Sequence, residues 1–491
     1  MQDRVTDGRV VFVSNRGPVS FTRAESGDGY TTKRGAGGLA GALDPVARGL
    51  GARAVWIAAA TSVEDREALK VGLGPSLKDE LGYDVRLLDI DPKLYERYYD
   101  EISNRMLWFA NHCLWDEIGI EAFTDADVAS WHEAYEPVNG TFAAATEEVS
   151  GERALILVQD YHLALLPLIL RKRTGNSTIL HFTHSSFCGP AGYERIPPPI
   201  PERFIRGMLG ADLCGFHVSA WADGFMRAAE SHGAICDREL GTLELDGRKT
   251  WIRTYPIPID PAEIIDEAAR PEARAWSERF KSESPGQLLV RADRCEPSKN
   301  IIRGFQAFSR LLERREDLRT TTRFIACVYP SRQSMGEYQR YAAEVIAAAD
   351  RVNALFPGSV QLFSDDDFSR TLGALRVYDA LIVNPIMDGM NLVSKEGACI
   401  NERDGALILS TGAGSFDELG SHSIAIREPL DIDETSVAIE QALSMPAALR
   451  SERAASLRSI VTESTPREWI DAQLHDLAAI GRGEPPLTAA P

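Results

Sequence analysis

The chain has 491 residues, 44% of them hydrophobic and 25% charged, a globular composition long enough for two or three domains. Its formal net charge of −19 excludes nonspecific attraction to nucleic acid or acidic membrane surfaces, while local basic clusters can still hold anionic substrates. No apolar run approaches bilayer-spanning length, no basic-then-apolar leader opens the chain, and the seven scattered cysteines form no CxxC, so a cytoplasmic protein with reduced thiols and no zinc site is expected.

In chain order, RVVFVSN, AVWIAAA, ALILVQD and STILHFTH read as strands in the first half, and QLLVRAD, RFIACVYP, VQLFS, ALIVNP and ALILST in the second. Continuous apolar runs of this kind suit parallel strands covered on both faces. Amphipathic stretches such as NIIRGFQAFSRLLERRE and EYQRYAAEVIAAADRVNALF lie between them. The alternation predicts an α/β fold with open, doubly wound sheets. The proline-rich segment YPIPIDP, Tyr255 to Pro261, reads as the linker between a domain over 1–258 and another over 259–465. The tail GRGEPPLTAAP is expected to fray. Two such sheets facing one another make a cleft at the carboxyl ends of their strands, where ligands of these folds bind.

Several polar residues fall at predicted strand ends. VSNRG places Arg16 there, suited to bidentate phosphate binding. KRGAGGL, Lys33 to Leu39, has glycines that let backbone N–H groups approach an anion. Tyr99 and Trp108, in RYYDEISNRMLW, can line a sugar pocket. VQDYHL puts Asp160 at one strand end and HFTHSSF puts His184 at the next, side by side if the strands are neighbours. Each also has a plain reading, as a surface arginine, a simple turn, core aromatics or a structural histidine. Cys188 and Cys295 read as small apolar filler.

The second half is more specific. RADRCEPSKN sets Arg294 and Lys299 around a proline-stiffened turn before a long helix, a pair able to hold a diphosphate and the charge that grows on it during departure. YPSRQ places Arg332 directly after another strand. DGMNLVSKE, Asp388 to Glu396, follows ALIVNP and opens a helix near Asn391. The amides of Asn391 and Leu392 are then available to phosphate oxygens, and Glu396 can reach a pair of cis hydroxyls such as a ribose offers. Asp365, Asp366 and Asp367 resemble a metal-binding run, but directly before a helix they read as N-capping residues.

Together these motifs, from SNRGP to STGAGSFDELG, resemble the trehalose-6-phosphate synthase family of retaining GT-B glycosyltransferases, glycosyltransferase family 20. The resemblance implies two Rossmann-like domains facing across a cleft, with a final helix, about 466–482, returning to the first domain. It implies a nucleoside-diphosphate glucose donor, a phosphorylated sugar acceptor (glucose 6-phosphate first), transfer with retention, no metal cofactor, and no nucleic-acid or membrane partner. A homo-oligomer and the donor base, whether UDP, GDP or ADP, stay open. Residue by residue, it implies that His184, Arg294, Lys299 and Asp160 are catalytic. Gly38, Arg294, Lys299, Asp388, Gly389, Met390, Asn391, Leu392 and Glu396 would bind the donor, and Arg16, Tyr99, Trp108, Asp160 and Arg332 the acceptor. Four departures fall elsewhere in the pattern, one of them the unusual stretch AGYERIPPPIP after the His184 loop. Ser186 replaces the family proline after the histidine, Ala59 replaces a tryptophan, and Asn300 replaces the glycine after the lysine. Ser186 and Ala59 keep other acceptors open, in relatives that couple a nucleotide-linked cyclitol to an aminocyclitol phosphate or that make glucosylglycerol phosphate.

Overall fold

The computed structural model describes residues 8–24, 29–35, 38–151, 153–173, 177–284 and 286–491. The chain divides into two compact units, Met1–Ile257 with Pro466–Pro491, and Pro258–Thr465.

Among the described residues the first unit is built on a nine-stranded sheet. Its spatial order is Asp84–Leu88, Ala54–Ala59, Val10–Val13, Leu155–Gln159, Thr178–Phe182, Leu213–Phe216, Arg248–Thr254, Thr242–Leu245 and Ile235–Asp237. Strands through the middle, such as VVFV and LILVQ, are buried along their whole length, as parallel pairing covered on both faces requires. The last three strands form an antiparallel meander. Asp246 and Gly247 turn its final hairpin with φ of 54° and 76°, the geometry of a two-residue type I′ turn. The short strand LCGF was not among the expected strands. Its Gly215 leaves room for the Phe182 ring, which lies 2.6 Å from where a Cβ would sit.

The helix Pro466–Gly481 belongs to this unit. Trp469 Nε1 donates to the Tyr255 carbonyl (2.9 Å), and Tyr255 Oη donates to Asp476 Oδ2 (2.6 Å). The tail expected to fray is instead tied down. The amides of Leu487 and Thr488 both donate to Asp476 Oδ1, and Arg253 Nε donates to the Thr488 carbonyl. Polar anchoring of backbone does here what apolar periodicity would otherwise do.

The second unit holds a six-stranded, all-parallel sheet in the order Val360–Phe363, Thr322–Tyr329, Gln287–Arg294, Ala380–Val383, Ala406–Ser410 and Ile424–Ile426. Helix Ile301–Arg314 shows why it packs there: Ile301, Phe305, Phe308 and Leu312 recur at helical spacing and are fully buried in the core on one face of the sheet. Each such side chain contributes about 2 kcal/mol of apolar burial. A second core, with Phe280, Leu375 and Tyr378, covers the other face. Asp367 caps helix Phe368–Val377, accepting from the Arg370 amide at 2.9 Å, and Arg370 in turn pairs with Asp365. Among the described residues no helix is long and apolar enough to cross a membrane.

Candidate functional site

The parallel part of each unit's large sheet contains a point where the strand order reverses direction. In the second unit the strands, numbered along the chain, run 3-2-1-4-5-6, so the reversal lies between Gln287–Arg294 and Ala380–Val383. In the first unit it lies between Val10–Val13 and Leu155–Gln159. The crevice outside the carboxyl ends of two such strands is where open α/β sheets bind ligands, because the flanking loops diverge there.

At the first unit's reversal, Arg16 follows one strand and Asp160 the other. Arg16 Nη2 donates to the Tyr99 hydroxyl at 3.1 Å, and the Tyr99 ring stacks on His162 with centroids 5.6 Å apart. Tyr99 lies in a π-helical stretch, Arg97–Trp108, in which Asn104 Nδ2 donates back to the Tyr99 carbonyl. Trp108 ends the same stretch, 4% exposed and against the His112 ring at 4.1 Å. Asp160 has a φ of 70°, rare for a residue with a side chain. Its Oδ1 accepts from the His184 amide at 3.2 Å, so the ends of Leu155–Gln159 and Thr178–Phe182, neighbouring strands, are clipped together. Gln159 Oε1 accepts from His184 Nε2–H at 2.9 Å. Burial first, then the neighbouring His217, His181 and His162, push the His184 pKa well below the usual histidine value. The ring is therefore a neutral imidazole, a hydrogen-bonding group rather than a fixed cation.

Gly38 opens helix Gly38–Leu50. Ala36 and Gly37, part of the glycine-rich motif before it, lie outside the described residues. Ser186, standing in for the family proline, donates its hydroxyl to the Asn111 carbonyl, and Ala59 is buried at the end of its strand.

At the second unit's reversal, the turn after Gln287–Arg294 meets the loop after Ala380–Val383. Lys299 Nζ and Asn391 Nδ2 both donate to Asp388 Oδ2, at 2.6 and 3.0 Å. Ile386 N donates to the Ser298 carbonyl. The loop is further fixed from Ala406–Ser410: Asp388 N donates to the Gly412 carbonyl, Gly414 N to the Asp388 carbonyl and Ser415 N to the Met390 carbonyl. Asn391 caps helix Leu392–Ile400 with a φ of 72°, and its side chain accepts from the Ser394 amide. The earlier N–H groups of that first turn have no acceptor within the helix. Glu396 is on the second turn, half-buried, and burial raises its pKa to about 7.

Arg294 is exposed and pairs with the deeply buried Glu296 at 3.1 Å; Arg332 reaches the same Glu296 oxygen at 3.2 Å. Burial would raise the Glu296 pKa, but Arg294, Arg332 and Lys299 outweigh it and hold the carboxyl at about 2. Burial likewise opposes the charge on Lys299, and Asp388 and Asp293 overcome it. Asp293 is itself taken by Arg291, at 2.7 Å. Three cations, Arg294, Lys299 and Arg332, are thus matched with two carboxylates, Glu296 and Asp388. The turn gathers several cations within a strongly acidic chain, which suits a polyanionic ligand.

The residues expected at these strand ends are therefore gathered in two clusters. Arg16, Tyr99, Asp160 and His184 lie around the first reversal, and Arg294, Lys299, Asp388 to Leu392 and Glu396 around the second. Arg332, expected with the acceptor set, shares the buried carboxylate of Arg294. Sequence reasoning missed Gln159, which immediately precedes Asp160, and Glu296, whose signal was an acidic residue flanked by Arg294 and Lys299.

A profile of glycosyltransferase family 20 matches residues 8–479. The trehalose-6-phosphate synthase of Mycobacterium bovis is 31% identical over 494 residues, spanning 96% of this chain and 95% of its own. The validamine 7-phosphate valienyltransferase of Streptomyces hygroscopicus subsp. jinggangensis is 30% identical over 434 residues, spanning 86% and 85%. A solved α,α-trehalose-phosphate synthase (UDP-forming) from Burkholderia xenovorans, in complex with glucose-6-phosphate, has a TM-score of 0.79 and 26% identity over 96% of this chain and all of its own. Its counterpart from Burkholderia vietnamiensis has a TM-score of 0.81 and 25% identity over 97% and 98%. The α/β GT-B architecture agrees with that match, which spans nearly the whole chain, and the protein belongs to glycosyltransferase family 20.

Proposed function

We propose that this enzyme transfers glucose, with retention of the α configuration, from a nucleoside-diphosphate glucose to glucose 6-phosphate, giving trehalose 6-phosphate in the cytoplasm. The observation that carries the reading is the join of Lys299 to Asp388 and Asn391 at the second sheet's reversal point, beside Arg294 and the first turn of helix Leu392–Ile400. The cations Arg294 and Lys299 and the helix's first-turn amides there suit two phosphoryl groups. Asp388 would take donor-sugar hydroxyls, and Glu396 the ribose. Arg16, Tyr99 and Asp160 would hold the acceptor, with Trp108 beside them.

In the reaction, the bond from the anomeric carbon to the phosphate oxygen breaks and the acceptor hydroxyl bonds to that carbon on the same face. The hydroxyl proton passes to the departing phosphate oxygen. Arg294 and Lys299 neutralise the leaving group in place of a divalent metal. Neutral His184, its Nε2–H taken by Gln159, would present Nδ1 as a hydrogen-bond acceptor near the reacting carbon. Similarity to trehalose-6-phosphate synthases along almost the full length supports this choice of substrates.

A second reading, a pseudoglycosyltransferase joining a nucleotide-linked cyclitol to an aminocyclitol phosphate, is favoured by Ser186 and Ala59 and by the similar likeness to the valienyltransferase. One product screen by mass spectrometry separates them. It crosses UDP-, GDP- and ADP-glucose with glucose 6-phosphate and other phosphorylated acceptors, with and without chelator. A disaccharide phosphate formed under chelation supports the proposal. No glucose transfer to any acceptor, or transfer only with added metal, overturns it.

A further inference from the structure

The sequence reads Cys188 as filler, yet its thiol has two polar partners. Cys188 Sγ donates to the Ala110 carbonyl at 3.1 Å and approaches the Gly189 carbonyl at 3.7 Å, and Cys113 N donates to that same Ala110 carbonyl, which brings the two cysteines together. The segments that carry the two cysteines are locked face to face. Cys188 N donates to the Asn111 carbonyl, Asn111 Nδ2 donates to Ser185 Oγ, Tyr193 Oη donates to Asn111 Oδ1, and Trp115 Nε1 donates to the Gly192 carbonyl. Contact is close enough that a Cβ on Gly192 would sit 2.1 Å from the Ala110 carbonyl oxygen and 2.5 Å from Cys188 Sγ.

Cys113 is also an unusual occupant of its position. Cys113 N donates to the Ala110 carbonyl and Leu114 N to the Phe109 carbonyl, the paired bonds of a Schellman turn that closes the short helix Phe109–Asn111. Its φ of 50° is the left-handed conformation such turns reserve for glycine. An exposed cysteine stands there instead. The neighbouring Cys188 thiol is the main influence on its acidity; together with Arg195 it outweighs burial, Asp116 and Glu194, and lowers the thiol to about 7. The neighbouring Cys113 thiol, with burial, pushes Cys188 up. The pair is thus polarised into an exposed, nucleophilic sulfur and a half-buried resolving one.

We propose that Cys113 and Cys188 form a peroxide-sensitive dithiol site that closes to a disulfide, tying the turn after Trp108 to the loop after His184. The Cys113 thiolate attacks a peroxide oxygen. An S–O bond forms, the O–O bond breaks, and hydroxide or an alcohol leaves. Cys188 sulfur then attacks the Cys113 sulfenic acid; the S–S bond forms, the S–O bond breaks, and the Cys188 proton leaves with the hydroxyl as water. For hydrogen peroxide, two thiols and one peroxide give one disulfide and two waters. A reduced dithiol reverses it by exchange.

The test needs no substrate and stands apart from the proposed reaction. The full chain is treated with stoichiometric hydrogen peroxide, its remaining thiols are alkylated, and its unreduced peptides are mapped by mass spectrometry. A linked Cys113–Cys188 peptide, lost on treatment with dithiothreitol, is expected. It should be absent from Cys188→Ser and from Cys113→Gly, the second of which suits the turn and keeps the fold. A Cys113 that goes to sulfinic acid while Cys188 stays alkylatable, a different pairing, or two thiols that both survive the oxidant overturns the proposal.

Discussion

Lys299 Nζ and Asp388 Oδ2 lie 2.6 Å apart, with side chains only 10% and 16% exposed, and join the turn after one strand to the loop after its neighbour. The contact has two roles that mutation can separate. Structurally, it neutralises a carboxylate enclosed in the loop; catalytically, it sets a cation where the leaving diphosphate is proposed to sit. Lys299→Ala should lower turnover by about 10²–10³-fold, the cost of one lost transition-state charge contact. It should also lower the melting temperature, because Asp388 loses its counter-charge. Adding Asp388→Asn should recover much of that melting temperature without recovering turnover. Joint recovery, in parallel steady-state kinetics and thermal melts, would reduce Lys299 to a structural role.

The loop that holds Asp388 is positioned by what two glycines lack. A Cβ on Gly412 would lie 2.2 Å from the Ile386 carbonyl oxygen, and one on Gly414 2.1 Å from that of Gly389. Both distances are far inside contact, and backbone rather than a mobile side chain would have to give way. Gly414→Ala should therefore cost on the order of 1–3 kcal/mol and shift residues 388–390. The KM for the sugar nucleotide is expected to rise well beyond any change in the KM for the acceptor. Equal rises in both would show that the loop does not serve the donor alone.

How far the sequence carried this picture depended on which signal a residue left. The nine runs expected as strands, from Val10–Val13 to Ala406–Ser410, all form strands; eight are largely buried, where continuous apolar stretches leave little choice, while the edge strand Val360–Phe363 is mostly half-buried. The antiparallel meander went unread although Asp246-Gly247 announced its turn; its strands are short and partly exposed, so apolar periodicity was weak. LCGF was missed because Gly215 reads as a strand breaker until Phe182 is seen above it.

The candidate site shows the same division. Arg16, Asp160, His184, Arg294 and Lys299 were legible because each ends or follows a predicted strand. Glu296 was not, because its importance lies in pairing with Arg294 and with Arg332, which lies on a different strand's loop. The tail was misjudged for the same reason: Asp476, buried on the preceding helix, holds it through amides that leave no side-chain pattern.

Gln159 gives His184 a direct test. Its Oε1 accepts from His184 Nε2–H, and the ring otherwise meets Phe182, Trp469 and His217, with Asp160 on its amide. The folded pKa is depressed, so the unfolded chain takes the proton first, and acid weakens the fold as pH drops below the unfolded value of about 6.5. Gln159→Glu would place a carboxylate against Nε2 and favour the imidazolium. An NMR titration of the His184 ring should show its pKa climbing toward or above the ordinary range, with acid-side stability rising in step. An unchanged titration would mean that Gln159 does not hold the ring.

Glu396 makes the last prediction, and its sign can be worked through. Burial raises its pKa to about 7, above the unfolded value. Its contribution to stability is therefore full below an unfolded pKa of about 4.3 and is lost as pH rises through the folded value. Glu396→Gln should flatten that slope in denaturation curves taken across this window. Binding adds an opposite demand. If the side chain accepts hydrogen bonds from ribose hydroxyls, the bound nucleotide favours the ionised form, and complex formation near neutral pH must release a proton. Calorimetric titration with a nucleoside diphosphate in buffers of different ionisation enthalpy reads that proton directly. Release in the wild type and its disappearance in Glu396→Gln are expected, with wild-type affinity weakening as the pH falls below about 7. Proton uptake instead would mean that Glu396 binds as the neutral acid and donates to the ligand.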